Sequence, residues 1–134
     1  MIVADSNLIA YLLIPGDKSA ICDEIFLKDP DWAVPLICRS EIRNILALYM
    51  RHERMSLNQA LATMEKAECV WRDHEYAVPS TSVLELTHKH AITAYDGEFI
   101  VLAQELGIPL LTFDKAVKRM FPRIAIDPAA YLKQ

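Results

Sequence analysis

Four short, largely apolar runs punctuate this chain at residues 2–4, 32–34, 110–113 and 124–126, and the stretches between them carry helical periodicity. A strand that faces water on one side alternates apolar and polar residues, so runs without alternation predict strands covered on both faces. Such strands belong to parallel sheets, whose crossover connections are usually helices laid over the two faces. The chain therefore reads as a three-layer α/β/α fold with a central, mainly parallel sheet. Ligands bind such sheets beyond the carboxyl ends of the strands. Asp5 and Asp114 each stand immediately after one of the apolar runs.

The helices have their own signals. Residues 7–14 read as a helix stopped by Pro15-Gly16, and Asp17-Lys18-Ser19 opens a second with Ile21, Ile25 and Phe26 at helical spacing. A long helix follows the 32–34 strand and runs to about Arg54. Ser56 caps another that reaches Cys69, and residues 70–78 hold one further strand. Ser80-Thr81-Ser82 caps a helix to His90; Asp96 opens one that Gly107 and Pro109 stop after Leu106. A last helix covers 115–121. No repeat, low-complexity segment or linker interrupts the chain, so its 134 residues read as one domain, 1–134.

Composition narrows the function. The chain is 53% hydrophobic and 24% charged, as a packed globular protein is. No apolar stretch approaches the roughly 20 residues that span a bilayer, and the start lacks the basic segment of an export signal, so a cytoplasmic protein away from membranes is expected. Cys22, Cys38 and Cys69 are widely separated and read as small buried thiols, not as disulfides or zinc ligands. A formal net charge of −4 argues against a protein that grips nucleic acid by bulk positive charge. A nuclease stays open, because four carboxylates in one pocket would supply that excess and bound metal would cancel much of it.

Two further acids occupy unusual places. At about 100° per residue, Glu41 shares one helical arc with Cys38, Ile42, Ile45, Leu46 and Leu48, while Arg39, Arg43 and Arg51 lie largely opposite. Asp96 falls on the stripe defined by Phe99, Ile100, Ala103 and Leu106; Glu98 and Glu105 fall on the other side and are expected in solvent. The plain alternatives are a helix-edge glutamate paired to another element and an aspartate acting only as an N-cap. Carboxylates turned toward apolar surroundings are costly unless neutralised, and no Lys or Arg is placed to do so. An oxygen-rich set of this kind suits Mg²⁺ or Mn²⁺, and two such ions can activate water and stabilise the leaving oxygen of a phosphodiester.

Asp5-Ser6-Asn7 after an N-terminal strand, Glu41 in the third helix, Tyr95-Asp96-Gly97 before Leu102-Ala103, and Thr112-Phe113-Asp114 after a strand together resemble the PIN domain family. The compact length resembles its VapC-type ribonuclease toxins of type II toxin–antitoxin pairs. The resemblance implies a Mg²⁺- or Mn²⁺-dependent endoribonuclease whose metal-binding and catalytic acids are Asp5, Glu41, Asp96 and Asp114. It implies accompanying polar roles for Asn7, Thr112 and Ser6 in orienting water or a carboxylate. It also implies a homodimer, a cognate antitoxin that blocks the acidic groove and a tetramer with that antitoxin. Tyr11, Leu12, Leu13 and residues 47–50 are the implied dimer contact. Relatives often carry Ala where Gly97 stands, and either small residue permits close helix approach.

RNA also calls for cations. Lys115, Lys118 and Arg119 form one basic face just after Asp114 and are candidate phosphate contacts; Arg39 and Arg43 are a second patch. Ordinary solvated helix faces are the alternative for both. His88 and His90 are two residues apart, which does not suit a helical metal pair, and the tryptophans and tyrosines read as core or interface residues. An aspartyl phosphotransferase would want a second Asp two residues after Asp5, where Asn7 stands, and a receiver domain wants paired acids near its start and a lysine ending a late strand. The surviving rival is a catalytically silent PIN-like scaffold or RNA-binding module.

Overall fold

The computed structural model describes residues 1–134. Five strands, β1 (Ile2–Ala4), β2 (Trp32–Pro35), β3 (Glu75–Tyr76), β4 (Leu110–Leu111) and β5 (Ala125–Ile126), form one sheet in the order β3-β2-β1-β4-β5. Every neighbouring pair is parallel, with Val3 opposite both Ala33 and Leu110. Eight helices connect and cover it: α1 (Ser6–Leu13), α2 (Ser19–Lys28), α3 (Ile37–Arg51), α4 (Leu57–Val70), α5 (Ser80–Lys89), α6 (Ala94–Leu106), α7 (Lys115–Met120) and α8 (Pro128–Leu132). None of them is long and apolar enough to cross a membrane. The α/β class with a parallel sheet expected from the unalternated runs is the one observed.

β1 is the centre of the sheet because all three of its residues are fully buried, as are Trp32, Ala33 and Val34 beside it. α6 lies across β1, β2 and β4 and buries Gly97, Phe99, Ile100, Val101, Leu102 and Ala103. Each buried aliphatic or aromatic side chain of this kind stabilises the fold by roughly 1.5–3 kcal/mol before entropy is counted. The chain leaves β1 toward β2 on one side, and later returns to β1's other flank as β4. That reversal opens a crevice at the carboxyl ends of β1 and β4, where Asp5 and Asp114 follow.

Several boundaries move from their expected places. α3 ends at Arg51, and Glu53 adopts a left-handed φ of 57° in the turn that follows. α5 starts at Ser80 behind Pro79, without a side-chain cap. The 70–78 segment contributes only two strand residues, and β4 stops at Leu111 although the Thr112 N–H still donates to the Ile126 carbonyl. α8 has no expectation behind it; Asp127 caps it through the Ala129 N–H, with Pro128 at its first position. Cys22 and Cys38 are buried as expected, but Cys69 is exposed at the outer end of α4.

Candidate active site

A cleft of about 530 Å³ opens at the carboxyl edge of the sheet, and Asp5, Glu41, Asp96 and Asp114 all line it. Four elements deliver them: the β1–α1 junction, α3, the first turn of α6, and the β4–α7 junction. The remaining lining is Ser6, Asn7, Ile37, Ser40, Asn44, Ile45 and Tyr95; no Lys, Arg or His enters.

Asp5 occupies the N-cap position of α1 yet makes no side-chain cap hydrogen bond. Its carboxylate accepts instead from the Thr112 hydroxyl at 2.6 Å. Thr112 is fully buried, and its oxygen also accepts from the Asp114 N–H at 3.0 Å, so one hydroxyl ties the two strand ends together. Glu41 is held in the same manner by the Ser6 hydroxyl, which donates to it at 2.7 Å across two helices. Asp114 lines the cleft while its Oδ1 accepts from the Val117 N–H to cap α7; the capping and cleft roles coexist.

Asp96 departs from its expected position. α6 begins at Ala94, capped by the Thr93 hydroxyl, which accepts from the Asp96 N–H at 3.1 Å. Asp96 is therefore a first-turn residue whose carboxylate is free of capping duty. Glu98 departs further. It stays out of the cleft, but it is half-buried, and its charge bears on Glu41. The face of α6 opposite Asp96 is mixed: Glu105 is exposed as expected, whereas Glu98 is half-buried and Val101 buried, because the middle of this helix is packed on most sides.

Burial is the main reason the Asp5, Glu41 and Asp96 carboxyls hold their protons more tightly than ordinary carboxylates. The Thr112 hydroxyl and Ser6 N–H partly oppose this at Asp5, and the Ser6 hydroxyl does so at Glu41. The acids reinforce one another: Asp96 and Asp114 act on Asp5, Asp5 and Asp96 on Glu41, and Asp114 on Asp96. Beside them the Cys38 thiol is pushed up to about 12, first by burial and then by the charges of Glu41 and Asp5, so it stays a neutral thiol.

Hard oxygen donors, mutual repulsion and the lack of any cation in the cleft fit a divalent ion. As the side chains stand, no three His, Cys, Asp or Glu groups are close enough to hold one as a closed cage. That agrees with the habit of Mg²⁺, which takes one or two carboxylates and keeps several waters. Thr112→Val should show how much the tether matters. Loss of the bond to Asp5 is expected to lower cleavage roughly 10- to 100-fold, the usual cost of removing a group that orients a metal ligand. Thr112→Ser should restore most of it in a steady-state assay, since only the hydroxyl is needed.

The expected cations are placed less favourably. Arg39 is paired with Glu75, its Nη2 donating at 2.9 Å, and also lies 3.4 Å from Glu68. Lys118 donates to Asp127 at 2.6 Å. Each is thus engaged by an acid from another element. Lys115, Arg119 and Arg43 are exposed and outside the cleft. Asn7 is exposed at its rim. Leu12 and Leu13 line a separate, mostly apolar groove with Phe26, Ala62 and Val70.

Ser40 and Asn44 are cleft residues outside the motifs, and Tyr95, which stands in the Tyr95-Asp96-Gly97 motif, lines the cleft instead of taking the core or interface place expected of the tyrosines. Ser40 and Asn44 stand one turn apart on α3 beside Glu41, on the stripe that Arg51 continues, so periodicity marks them only as surface positions. Tyr95 is adjacent to Asp96, and nothing in its spacing separates it from the buried tryptophans.

Comparison with known proteins agrees with this geometry. A family model described as the PIN domain matches residues 2–123. The chain is 26% identical over 129 residues to Ribonuclease VapC3 of Pyrobaculum aerophilum, covering 92% of this chain and 96% of that protein. The crystal structure of PAE2754 from the same organism superposes with a TM-score of 0.77 at 20% identity, over 98% of this chain and 85% of that one. A toxin–antitoxin complex from Klebsiella pneumoniae gives 0.65 at 14% identity, over 96% of this chain and 98% of the other. With the family model spanning nearly the whole chain and the acids gathered where the sheet reverses, this protein belongs to the PIN domain family.

Proposed function

We propose that the protein is a divalent-metal-dependent endoribonuclease and the toxin of a toxin–antitoxin pair. The observation that carries the reading is the cleft itself: four carboxylates from four elements, two of them tethered by buried or part-buried hydroxyls, and no cationic side chain to neutralise them. The name of the VapC3 relative and the nature of the Klebsiella complex support the ribonuclease and toxin parts.

Asp5, Asp96, Asp114 and Glu41 would hold Mg²⁺ or Mn²⁺, which supplies charge neutralisation at the phosphate and a more acidic water. The rest falls to the chain. Thr112 and Ser6 keep Asp5 and Glu41 aimed into the cleft. The water oxygen bonds to phosphorus as the bond to one ribose oxygen breaks, and the proton that the water gives up ends on the departing oxygen. Asn7 and the exposed Lys115 and Arg119 are assigned to the incoming strand, with Arg43 farther along the same molecule. A cytoplasmic homodimer, assembled with an antitoxin partner, completes the proposal.

Incubation of purified protein with total RNA tests it. Discrete cleavage that EDTA stops and Mg²⁺ or Mn²⁺ restores is expected, and cleavage indifferent to the chelator would refute the metal-dependent reading. A small protein from the neighbouring reading frame should co-purify and relieve growth inhibition. A folded protein with neither toxicity nor cleavage would instead mark it as a silent scaffold.

A further inference from the structure

The acidic cleft has a wall that the carboxylates do not explain. α3 contributes Ile37, Ser40, Asn44 and Ile45 to it beside Glu41, and α6 contributes Tyr95. Tyr95 is 60% exposed, whereas Trp32, Trp71, Phe99 and Phe121 are all buried. Its ring is not used in packing, and the side chains of Tyr95, Ser40 and Asn44 enter no intramolecular hydrogen bond, although Ser40 and Asn44 are exposed and free to make them. An aromatic face and neutral hydrogen-bonding groups thus share a cavity with four acids.

Electrostatics decides what can meet that wall. A phosphate not bridged by a divalent ion is repelled by the lining, which offers no Lys or Arg. A nucleotide flanking the bridged phosphate must therefore turn its neutral base, not its backbone, inward. Unpaired bases are held by stacking on aromatic rings and by hydrogen bonds at their edges, whereas bases within a duplex are already stacked and cannot enter.

We propose that Tyr95, Asn44 and Ser40 form a nucleobase subsite for an unpaired nucleotide next to the scissile phosphate. Tyr95 stacks the base. The Asn44 amide, donor and acceptor at once, reads its edge, and the Ser40 hydroxyl adds a second edge contact. The enzyme then selects single strands and loops, and the α3 wall sets the preferred base. This assignment rests on the ribonuclease reading above.

Two measurements separate the subsite from that reading. Cleavage of a randomised single-stranded RNA pool in Mg²⁺ should fall roughly 5- to 150-fold in kcat/KM for Tyr95→Leu, the range typical of one lost base–aromatic stack. Tyr95→Phe should stay near wild type, and Asn44→Ala should flatten the base preference at one position beside the cut. Independently, a short RNA strand carrying a fluorescent adenine analogue, read on mixing, should be quenched by wild type and Tyr95→Phe but not by Tyr95→Leu. If wild type does not cleave yet quenching depends on Tyr95, the nuclease reading fails and the subsite stands. Equal quenching and cleavage by Tyr95→Leu, or equal cleavage of duplex and single strand, overturns the subsite. Coincident thermal melts of the variants exclude unfolding as the cause.

Discussion

Asp5→Asn should lower kcat/KM for RNA cleavage on the order of a thousandfold while leaving the protein folded. The magnitude follows from removing one charged ligand from a site in which the ion supplies several kcal/mol of transition-state stabilisation. Shape is not the cause, because asparagine is nearly isosteric and its carbonyl oxygen can still accept from the Thr112 hydroxyl. Retained activity in a cleavage assay would remove Asp5 from the site.

The same substitution should stabilise the metal-free protein at neutral pH. Burial raises the proton affinity of Asp5 in the folded state above the usual aspartate range. Below that range both folded and unfolded chains are protonated and the folded state carries no penalty. As pH rises toward the folded value, the unfolded chain releases its proton first, and stability is lost along the way. Asparagine never ionises, so the variant should melt above wild type at pH 7 in EDTA, with the gap closing in acid. A wild type that melts higher at pH 7 would contradict the sign.

Divalent ions should reverse that order. An ion that binds only the folded state at a thousandfold excess over its Kd adds about 4 kcal/mol. For a chain of 134 residues this corresponds to roughly 10–15 °C in Tm. Wild type should show this shift with Mn²⁺ or Mg²⁺ by scanning calorimetry; Asp5→Asn should show much less. Equal shifts in both proteins would place the binding elsewhere.

These expectations draw unevenly on sequence and structure. Glu41 was legible because a fifteen-residue amphipathic helix assigns a direction to every side chain, and it set Glu41 apart from Arg39 and Arg43. Asp96 was legible as an inward acid, but not its exact station, since Thr93 had no periodicity to mark it as the cap. Asp5 had the weaker case and proves the deepest of the four, while Asp114 is exposed at the rim. A residue after a three-residue strand carries no signal of depth. Its burial depends on β4 pairing beside β1, and on Thr112, which lies 107 residues away.

Apolar runs without alternation determined the parallel sheet, and the residues just past them determined where a site would lie, because local patterning is enough to choose layers and strand ends. Which acids face one another, which hydroxyl holds each, that Arg39 and Lys118 are already paired, and that Tyr95 stands open in the cleft were decided only by tertiary structure. Each depends on the order in which strands pair and on contacts between residues far apart in the chain, and periodicity within a segment carries no information about either.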